Sequence, residues 1–532
     1  MLFDSPSSQD LLTLKEASEW ASHHLQKTVT TANIAYLVNY AKIRKFGNQN
    51  KLLVSKNDLI AYYESFYGKR ELHWKNQLGD DLNWALSFDY LKEAETTKHV
   101  HRLHPYKGKF IPQLVEYFLD NHTDDFKNQT YFQPCDIVLD PFCGSGTTLV
   151  QASELGMHAI GIDISAFNSL ICNVKVNRYD LAEVRRSMES ISQALKLFIS
   201  ETATPAFETH LATLLKEFND QFFPSPEYKH RLKRGEINEA IYGAEKEQEF
   251  LASYQRLLVQ YRIRLLQEKR DNFLDQWYLY PVRQEIDFIF NLIKEVKNQS
   301  VKKVLAVVLS RTIRSCRATT HADLATLKEP VTAIYYCAKH GKICKPLFSM
   351  LSWWERYCQD TLQRLGQFER LRGDTWQICL TGDARQLNLI EILQEKHPKL
   401  AEQVAVQKIK GIFSSPPYVG LIDYHEQHAY AYDLFGFDRN DGLEIGALRR
   451  GQGKEARQDY VEAIATVLNH NKQYLADNYD VFLVANDKYN LYATIAEKAG
   501  MRIVNQFKRP VLNRSEKDKS AYAEIIFHLK AG

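Results

Sequence analysis

The stretch PCDIVLDPFCGSGTTLVQASELGMHAIGIDIS, residues 134–165, decides the fold class. It predicts an apolar strand, a turn that contains Gly144 and Gly146, a helix, and a second strand that ends at Asp163. Strand, helix and parallel strand in this order form the first unit of a doubly wound sheet. The two glycines let a ligand approach the backbone closely, and the helix that follows offers free N–H groups. We therefore predict an α/β fold with a mostly parallel sheet that binds a cofactor at this turn.

The acid at the end of the second strand indicates a nucleoside cofactor. Asp163 can accept hydrogen bonds from both hydroxyls of a ribose. The turn lacks the Gly-Lys-Ser/Thr ending of phosphate-binding loops. Instead, DPFCGSGTT (140–148) resembles motif I of the amino-methylating DNA methyltransferases. The resemblance implies S-adenosyl-L-methionine as the cofactor, held by Asp163 and by residues of this loop, which are Asp140, Pro141, Phe142, Gly144, Gly146 and Thr147.

Two further segments resemble cofactor-binding parts of the same family. HPYKGKFIP (104–112) resembles motif X, which closes over the methionine end of the cofactor, although Gly108 stands where the family usually has alanine. Gly382-Asp383 lies where the family has an acid beside the adenine, so we expect Asp383 to lie there. The motif X resemblance implies cofactor contacts from three residues, His104, Lys109 and Phe110.

The segment GIFSSPPY (411–418) predicts the catalytic loop. A base amine is a poor nucleophile because its lone pair is delocalised into the ring, so an enzyme must hold the NH₂ group by acceptors and aim it at the methyl carbon. A Ser-Pro-Pro-aromatic turn after a strand supplies a hydroxyl, a carbonyl, two rigid prolines and a ring that stacks on a flipped base. We therefore predict catalytic roles for Ser415, Pro416, Pro417 and Tyr418.

The serine in this loop bears on the target base. In the family that the motifs resemble, serine at this place is more typical of N4-cytosine enzymes, and aspartate or asparagine of N6-adenine enzymes. We expect methyl transfer to the N4 amine of cytosine in duplex DNA, with N6 of adenine as the alternative. Methylation of a cytosine ring carbon needs a Pro-Cys turn after the cofactor loop, whereas Pro134-Cys135 precedes it. Two further hypotheses are an RNA methyltransferase and a DNA-binding regulator with a non-catalytic methyltransferase core.

Residues 1–66 predict a small DNA-binding domain. LLTLKEASEWASHHL (11–25) predicts an amphipathic helix, and two further helices and a short strand follow it. This layout resembles the helix-turn-helix of excisionase-type and MerR-like domains, which implies that Arg44 and Lys45 lie near phosphates or a groove. A helical cap without DNA contact is the alternative. Residues 67–100 predict a connector.

The sheet pattern stops after residue 180 and returns at 373. We therefore divide the remaining chain into a cofactor half (101–180), an inserted helical target-recognition region (181–372) and a catalytic half (373–532). The arrangement departs from the resembled family because the insertion precedes Asp383. The insertion holds basic and hydroxyl side chains suited to phosphates and base edges, or else to a solvated helix face: Arg311, Arg314, Arg317, Thr319 and His321.

Cysteine spacing in the insertion raises the question of a metal. Cys337-x-x-His340-x-x-x-Cys344, with Cys316 upstream, has a spacing compatible with structural zinc. Free cysteines commonly fill cores. We therefore predict no metal, and zinc at these four residues is the alternative.

Composition and charge limit the class of protein, its location and its partners. The 532 residues are 45% hydrophobic and 25% charged, which is typical of soluble multidomain protein. A net charge of +3 is too small to indicate a nucleic-acid partner, so that expectation rests on the motifs. Without an apolar run of membrane-spanning length or an export signal, we expect a cytoplasmic protein with reduced cysteines and no membrane contact. The resemblance implies double-stranded DNA as the partner, in a restriction-modification system where a cognate restriction endonuclease is a further candidate.

Overall fold

The computed structural model describes residues 10–25, 29–39, 42–47, 52–64, 76–78, 82–88, 91–321, 327–511 and 521–532. Its strands are β1 (Leu11–Thr13), β2 (Leu53–Ser55), β3 (Ile137–Asp140), β4 (His158–Asp163), β5 (Tyr335–Cys337), β6 (Lys342–Cys344), β7 (Gln377–Thr381), β8 (Ile409–Ser414), β9 (Leu475–Ala485), β10 (Met501–Pro510) and β11 (Ala523–Ala531). Its α-helices are α1 (Leu14–His24), α2 (Thr31–Asn39), α3 (Lys56–Tyr63), α4 (Glu93–Thr96), α5 (Pro112–Leu119), α6 (Thr147–Glu154), α7 (Ala166–Val176), α8 (Leu181–Ser200), α9 (Thr204–Phe222), α10 (Glu227–Lys233), α11 (Glu239–Gln260), α12 (Phe273–Trp277), α13 (Tyr280–Glu295), α14 (Gln299–Ser315), α15 (Leu351–Glu369), α16 (Leu389–Lys396), α17 (Pro398–Gln407), α18 (Tyr424–Gln427), α19 (Ala429–Phe435), α20 (Lys454–Lys472) and α21 (Tyr492–Lys498).

The N-terminal elements form a small unit with its own apolar core. β1 and β2 pair antiparallel, and α1, α2 and α3 enclose a common set of buried side chains. The helix predicted over 11–25 is wrong at its start, because its first residues form β1 and α1 begins at Leu14. The Thr13 hydroxyl accepts a hydrogen bond from the Glu16 N–H at 3.3 Å, and the Glu16 carboxylate accepts one from the Thr13 N–H at 2.8 Å. This reciprocal capping fixes the helix start. The assignment as a helix-turn-helix stays a prediction.

A seven-stranded sheet carries the site, with the order β7-β4-β3-β8-β9-β11-β10 among the described residues. Neighbours from β7 to β9 pair in parallel, whereas β11 pairs antiparallel with both β9 and β10. The prediction of a mostly parallel α/β sheet is therefore confirmed. In the central pair, Val138 of β3 lies opposite Gly411 of β8. Because parallel strands end at the same edge, the loops after β3 and β8 meet there.

Alternating side chains give the sheet two apolar faces. In β3, Val138 belongs to the cluster on one face, whereas Ile137 and Leu139 belong to the cluster on the other. The first cluster continues into α5, α6 and α7, and the second into α16, α17, α20 and α21. The parallel part of the sheet is thus covered on both faces, as parallel sheets require.

The segment between α7 and β7 holds α8–α15 and the antiparallel hairpin β5–β6. Helices α8, α12, α13, α14 and α15 join the cluster on the first face of the sheet. The other helices α9, α10 and α11 enclose a separate apolar cluster together with the hairpin. The sheet is split in sequence but continuous in space, since β4 and β7 pair in parallel. Within the described ranges, none of the helices is both long enough and apolar enough to cross a bilayer.

Candidate active site

One cavity at the carboxyl edge of the sheet brings the two predicted loops together. The space between its lining residues, with open solvent at its mouth included, is about 880 Å³. Ser414, the last residue of β8, donates a hydrogen bond to Asp140, the last residue of β3, at 2.5 Å, although the two are 274 positions apart in the chain. The predicted site residues that line the cavity are Lys109, Phe110, Pro141, Phe142, Gly144, Thr147, Asp163, Asp383, Ser415 and Pro417.

The loop after β3 is shaped by its glycines. Gly144 has a φ of +51°, and a Cβ added there would lie 3.0 Å from the Tyr106 hydroxyl. This left-handed conformation favours glycine, and the Gly144 N–H donates to Asp163 Oδ2 at 2.8 Å. Gly146 has a φ of +76°, and a Cβ there would lie 3.0 Å from Cys172 Sγ. Gly146 therefore lets the loop pack against α7 and does not line the cavity.

Two carboxyl groups near this loop have raised pKa values. Asp163 accepts hydrogen bonds from the Ser165 N–H at 2.8 Å and the Asn168 amide at 3.1 Å, yet burial raises its pKa to about 7. Burial also raises the pKa of Asp140, to about 6. Asp140 binds Ser414 and so joins β3 to β8, and it does not line the cavity; its predicted contact with the cofactor stays a prediction.

The segment 104–112 closes one side of the cavity. Phe110 lines it and packs edge-on against Phe413, with ring centroids 5.6 Å apart. Lys109 lines it too, and its ammonium donates to the His101 carbonyl oxygen at 2.7 Å. Burial lowers the pKa of Lys109 to about 7. This side of the wall therefore carries less positive charge than its sequence indicates.

His104 and Pro416 lie outside the cavity wall. The His104 ring is buried, and its Nε2 lies 3.2 Å from the Tyr430 hydroxyl. Burial lowers the pKa of His104 well below its usual value, so the ring is neutral. Pro416 is buried between the two lining residues of its loop, Ser415 and Pro417. The cofactor contact predicted for His104 therefore stays a prediction, and its ring is not part of the cavity wall.

Side-chain hydrogen bonds hold the loop after β8. The Ser415 hydroxyl donates to the Val484 carbonyl oxygen at 3.0 Å. The Tyr418 hydroxyl donates to Glu524 Oε1 at 3.0 Å, and Arg509 donates to Glu524 Oε2 at 2.9 Å. The Tyr418 ring packs against the second sheet cluster and does not line the cavity. Tyr418 therefore lies beside the cavity, and the predicted stacking surface for a base is not in its wall.

Sequence reasoning missed part of the cavity wall. The rings of Tyr106 and Tyr424 both line the cavity and stack with centroids 5.8 Å apart. Glu444 lines it as well, and its buried carboxylate accepts from Arg449 at 3.0 Å and binds the His425 ring. Tyr106 lies inside the motif X segment and could have been found there. The segment that carries Tyr424 and Glu444 has no motif to mark it.

Asp383 lies in the cavity wall, just after β7. Its carboxylate pairs with Arg385, whose Nε lies 2.9 Å and Nη2 2.7 Å from the carboxylate oxygens. Burial opposes ionisation, but the hydrogen bonds from Arg385 outweigh it and lower the pKa of Asp383. Asp383 is therefore an ionised acceptor at neutral pH.

Comparison with known proteins assigns the family. The chain is 43% identical over 537 residues to the type II methyltransferase M.MjaII of Methanocaldococcus jannaschii, with 99% of this chain and 98% of that protein covered. The chain belongs to the type II methyltransferases. A family model described as DNA methylase, whose name covers N6 and N4 methylation, matches residues 15–171. The family implies S-adenosylmethionine as the methyl donor and DNA as the substrate.

The methyltransferase has other relatives over shorter stretches. It is 33% identical over 101 residues to the type II methyltransferase M.BsoBI of Geobacillus stearothermophilus, which covers 19% of this chain and 18% of that protein. Among solved structures, the rRNA methyltransferase aviRa from Streptomyces viridochromogenes matches 83% of this chain and 94% of that chain at 9% identity, with a TM-score of 0.26. That score is too low to bear on the fold, which rests on the strand order above.

The methyltransferase holds the predicted DNA-contact arginines of its insertion in different surroundings. Arg311 is 6% exposed, pairs with Asp360 at 2.6 Å and stacks on a tyrosine ring. Arg317 is 8% exposed. Neither lies on the solvated or DNA-facing surface that the sequence predicts, because the folded insertion covers both. Arg314 is half-buried. The pKa of His428 is lowered to about 3, mainly by burial of the ring and next by the positive charge of Arg314.

The remaining predicted DNA contacts also have neighbours within the protein. Thr319 is buried. Arg44 of the N-terminal unit makes an ion pair with Asp58 at 2.7 Å. Lys45 lies 3.7 Å from a carboxylate oxygen of Glu227 in α10. The N-terminal unit thus contacts the insertion through Lys45.

Three of the four residues considered for zinc lie together in the methyltransferase. The side chains of Cys337, His340 and Cys344 gather with that of His321, and their ligand atoms all lie within 4.8 Å of one another. Cys316 is instead buried in the apolar cluster on the first face of the sheet. The structure therefore replaces Cys316 by His321 in this group, and it moves His321 out of the predicted DNA contacts.

Proposed function

We propose that this methyltransferase moves the methyl group of S-adenosylmethionine to the N4 amine of cytosine in duplex DNA, by direct transfer to a flipped base. One observation carries the proposal: the cavity that Gly144 lines is also lined by Ser415 and Pro417. A cofactor on the first loop and a base on the second would therefore share one space, which is what direct transfer needs. N6 of adenine is the other base amine that the family model's name covers.

The cavity wall fits this cofactor. Gly144 has no Cβ to block the close approach of a ligand, and Lys109 and Phe110 bound the same side. Asp163 and Asp383 line the cavity as acceptors for the ribose hydroxyls and the adenine amine. When bound, the cofactor supplies a methyl group on a sulfonium. The chain's own part is to orient that methyl group and the base amine toward each other.

Ser415 provides an acceptor for the amine. Its hydroxyl proton is directed at the Val484 carbonyl oxygen, so its lone pairs are left to accept a hydrogen from an NH₂ group. Accepting that hydrogen draws the amine nitrogen toward tetrahedral geometry and localises its lone pair for attack. A neutral hydroxyl acceptor also agrees with the serine that is more typical of N4-cytosine enzymes.

A thiol route to a ring carbon has little support. Cys143 lines the cavity, but its Sγ lies 3.7 Å from Cys172 Sγ. That thiol contact, together with burial, raises the pKa of Cys143 well above its usual value. A protonated thiol is a poor nucleophile, so the base amine is the better methyl acceptor.

The base assignment is tested by identifying the methylated nucleoside. Duplex DNA from a methylation-deficient host is incubated with the full chain and methyl-labelled S-adenosylmethionine, digested to nucleosides and analysed by mass spectrometry. We expect labelled N4-methylcytosine, whereas N6-methyladenine would move the proposal to the other base and 5-methylcytosine would overturn direct transfer to an amine. Cofactor binding without transfer to any DNA would favour a regulator. Competition between duplex DNA and structured RNA excludes or establishes an RNA substrate.

The DNA side of the proposal assigns a part to each region. Residues 1–66 bind duplex DNA as a helix-turn-helix, 67–100 connect, 181–372 recognise the target, and 101–180 with 373–532 form the methyltransferase domain. Support comes from the separate apolar cores of the N-terminal unit and of the outer insertion helices. A cognate restriction endonuclease is the proposed partner, and protection of the methylated DNA against that endonuclease in the same host tests it.

Arg314 is the insertion arginine that we assign to a DNA phosphate. Unlike Arg311 it is half-buried rather than buried, and its charge reaches His428 beside the cavity. Arg314→Ala should weaken binding to all duplex sequences alike and reduce the slope of log affinity against log salt by about one. Arg186→Ala, on an exposed face of α8, is the control. An unchanged salt slope in Arg314→Ala would remove this residue from the interface.

A further inference from the structure

Four side chains of the insertion form a group that the methyl-transfer site does not use. We call it the Cys/His cluster: His321, Cys337, His340 and Cys344. Cys337 ends β5 and Cys344 ends β6, while His340 lies in the turn between these strands. His321 comes from the segment that follows α14. Two separate stretches of chain therefore meet at one point.

The spacing of the ligand atoms matches a tetrahedral metal. His340 Nδ1 lies 3.6 Å from both Cys337 Sγ and Cys344 Sγ. His321 Nδ1 lies 3.9 Å from Cys337 Sγ. With Zn–S of about 2.3 Å and Zn–N of about 2.0–2.1 Å, a tetrahedral site places sulfur and nitrogen ligands about 3.6 Å apart. Three of the six ligand-to-ligand distances are thus close to those of a zinc site, and the other three are within 4.8 Å.

The backbone of the hairpin is shaped for this arrangement. Gly341 has a φ of +62°, a conformation that favours glycine. The N–H groups of His340 and Gly341 both donate to the Cys337 carbonyl oxygen, at 3.0 Å and 2.7 Å. This tight turn brings the chain back so that Cys344 pairs with Tyr335. The two thiols and the turn imidazole are therefore placed on one side of the hairpin by main-chain geometry.

The rings of the two histidines are fixed as well. The His321 and His340 rings lie with centroids 4.3 Å apart. The Tyr335 hydroxyl lies 2.7 Å from His321 Nδ1, the nitrogen that lies near Cys337 Sγ, so a metal ion at this nitrogen would displace that hydrogen bond. The apolar cluster here contains just Tyr335, Cys337, Cys344 and, partly buried, Val331 among the described residues. Two imidazoles facing two thiols are poorly explained by so small a core.

We propose that the Cys/His cluster is a structural Zn²⁺ site of the Cys₂His₂ type. Binding releases the two thiol protons to solvent, and the imidazoles coordinate as neutral ligands. The four protein ligands close the coordination shell, so the ion has no open position for catalysis. Its part is to fasten the segment after α14, which carries Arg317 and Thr319, to the β5–β6 hairpin.

Metal analysis of the full chain tests the proposal. We expect about one zinc ion per chain in protein from zinc-sufficient medium after dialysis against a weak chelator. Cys337→Ser and Cys344→Ser should each lower the zinc content several-fold. Cys358→Ser, a buried cysteine of α15 outside the cluster, and Cys135→Ser, an exposed one, should leave it unchanged. Zinc retained in full by Cys337→Ser and Cys344→Ser would overturn the assignment.

A spectrum of the unaltered chain decides the case even where the serine variants fail to fold. Protein grown with Co²⁺ in place of zinc should show the visible bands of tetrahedral cobalt and a near-ultraviolet thiolate-to-cobalt band. The Cys358→Ser protein should show the same spectrum. A wild-type chain with less than about a tenth of an equivalent of zinc and no such cobalt bands would contradict the proposal of a zinc site. Because neither measurement depends on methyl transfer, the outcome is independent of the proposed function.

Discussion

The loop after β3 and the loop after β8 face the same cavity but are held by different means. The first is held by backbone: Gly144 adopts a left-handed conformation and its N–H binds Asp163. The second is held by side chains, since Ser415 binds a carbonyl of β9 and Tyr418 binds Glu524. The first loop therefore has no room for a side chain at its glycine. In the loop after β8, we expect a side-chain substitution to leave the backbone in place but to remove a hydrogen-bonding group.

This contrast separates cofactor binding from methyl transfer. A substitution in the loop after β3 should change the affinity for S-adenosylmethionine, because the backbone of that loop forms the proposed cofactor-binding surface. A substitution in the loop after β8 should change turnover, because the hydroxyls of that loop hold or position the base amine that accepts the methyl group. Variants that affected both quantities equally would break the comparison.

The largest effect should come from Ser415→Ala. Loss of the amine acceptor should lower kcat by about 100- to 1000-fold, while the Kd for S-adenosylmethionine changes less than about twofold, because the alanine keeps the shape of the wall. Single-turnover methylation and calorimetry measure the two quantities. Ser200→Ala, on an exposed turn of α8, is the control. Full turnover in Ser415→Ala would remove this serine from catalysis.

Gly144→Ala should instead weaken the binding of S-adenosylmethionine. An added Cβ at a φ of +51° would lie 3.0 Å from the Tyr106 hydroxyl, so the loop has to move away from the position that receives a ligand, and the Kd for S-adenosylmethionine should rise about 10- to 100-fold. Gly156→Ala is a matched control, because Gly156 has a φ of +69° and nothing within 4 Å of an added Cβ. Equal Kd values for Gly144→Ala and Gly156→Ala would show that the cofactor does not bind at the loop after β3.

Cofactor affinity should also depend on pH through Asp163. Burial raises its pKa to about 7, so the carboxyl is mostly protonated at pH 6 and mostly ionised at pH 8. The ionised form is the stronger acceptor for ribose hydroxyls, and affinity should therefore rise about tenfold between these pH values. The probe is 5′-methylthioadenosine, which keeps the ribose and has no titrating amino acid. A Kd that stays flat from pH 6 to pH 8 would contradict this role.

The smallest effect should come from Glu524→Gln. It weakens the bond that positions Tyr418 but leaves Arg509 a carbonyl to bind, so kcat should fall about threefold to tenfold without a change in cofactor affinity. Tyr418→Phe should give a similar loss. If both act through one hydrogen bond, the double variant should be no worse than either single variant. Additive losses would show that Glu524 and Tyr418 act separately.

The parts of the site that were predictable from the sequence depend on short stretches of chain. A strand that ends in a glycine turn and a helix fixes its own backbone, which is why Gly144 and Asp163 line the cavity. The meeting of Gly144 with Ser415 followed from one further rule, that parallel strands end at a common edge. By contrast, the capping box of Thr13 and Glu16 starts α1 at Leu14, whereas the apolar spacing alone predicted a helix from residue 11.

The parts that were not predictable depend on distant partners. Arg311 is buried because Asp360, 49 positions further along, meets its guanidinium. Tyr424 reaches the cavity by stacking on Tyr106 from another segment. The choice of His321 over Cys316 depends on where α14 ends and which way the chain then turns. Spacing along the sequence carries no information on these contacts.

The split sheet also has a consequence for biosynthesis. β3 lies between β4, which follows it directly, and β8, which leaves the ribosome only after the whole insertion. A nascent chain that ends at α15 therefore carries Gly144 without Asp383 or Ser415, and it exposes an unpaired strand edge. Such a chain is inert toward the host genome until its last strands emerge. A gene divided within the insertion would likewise encode two silent fragments that gain activity on association.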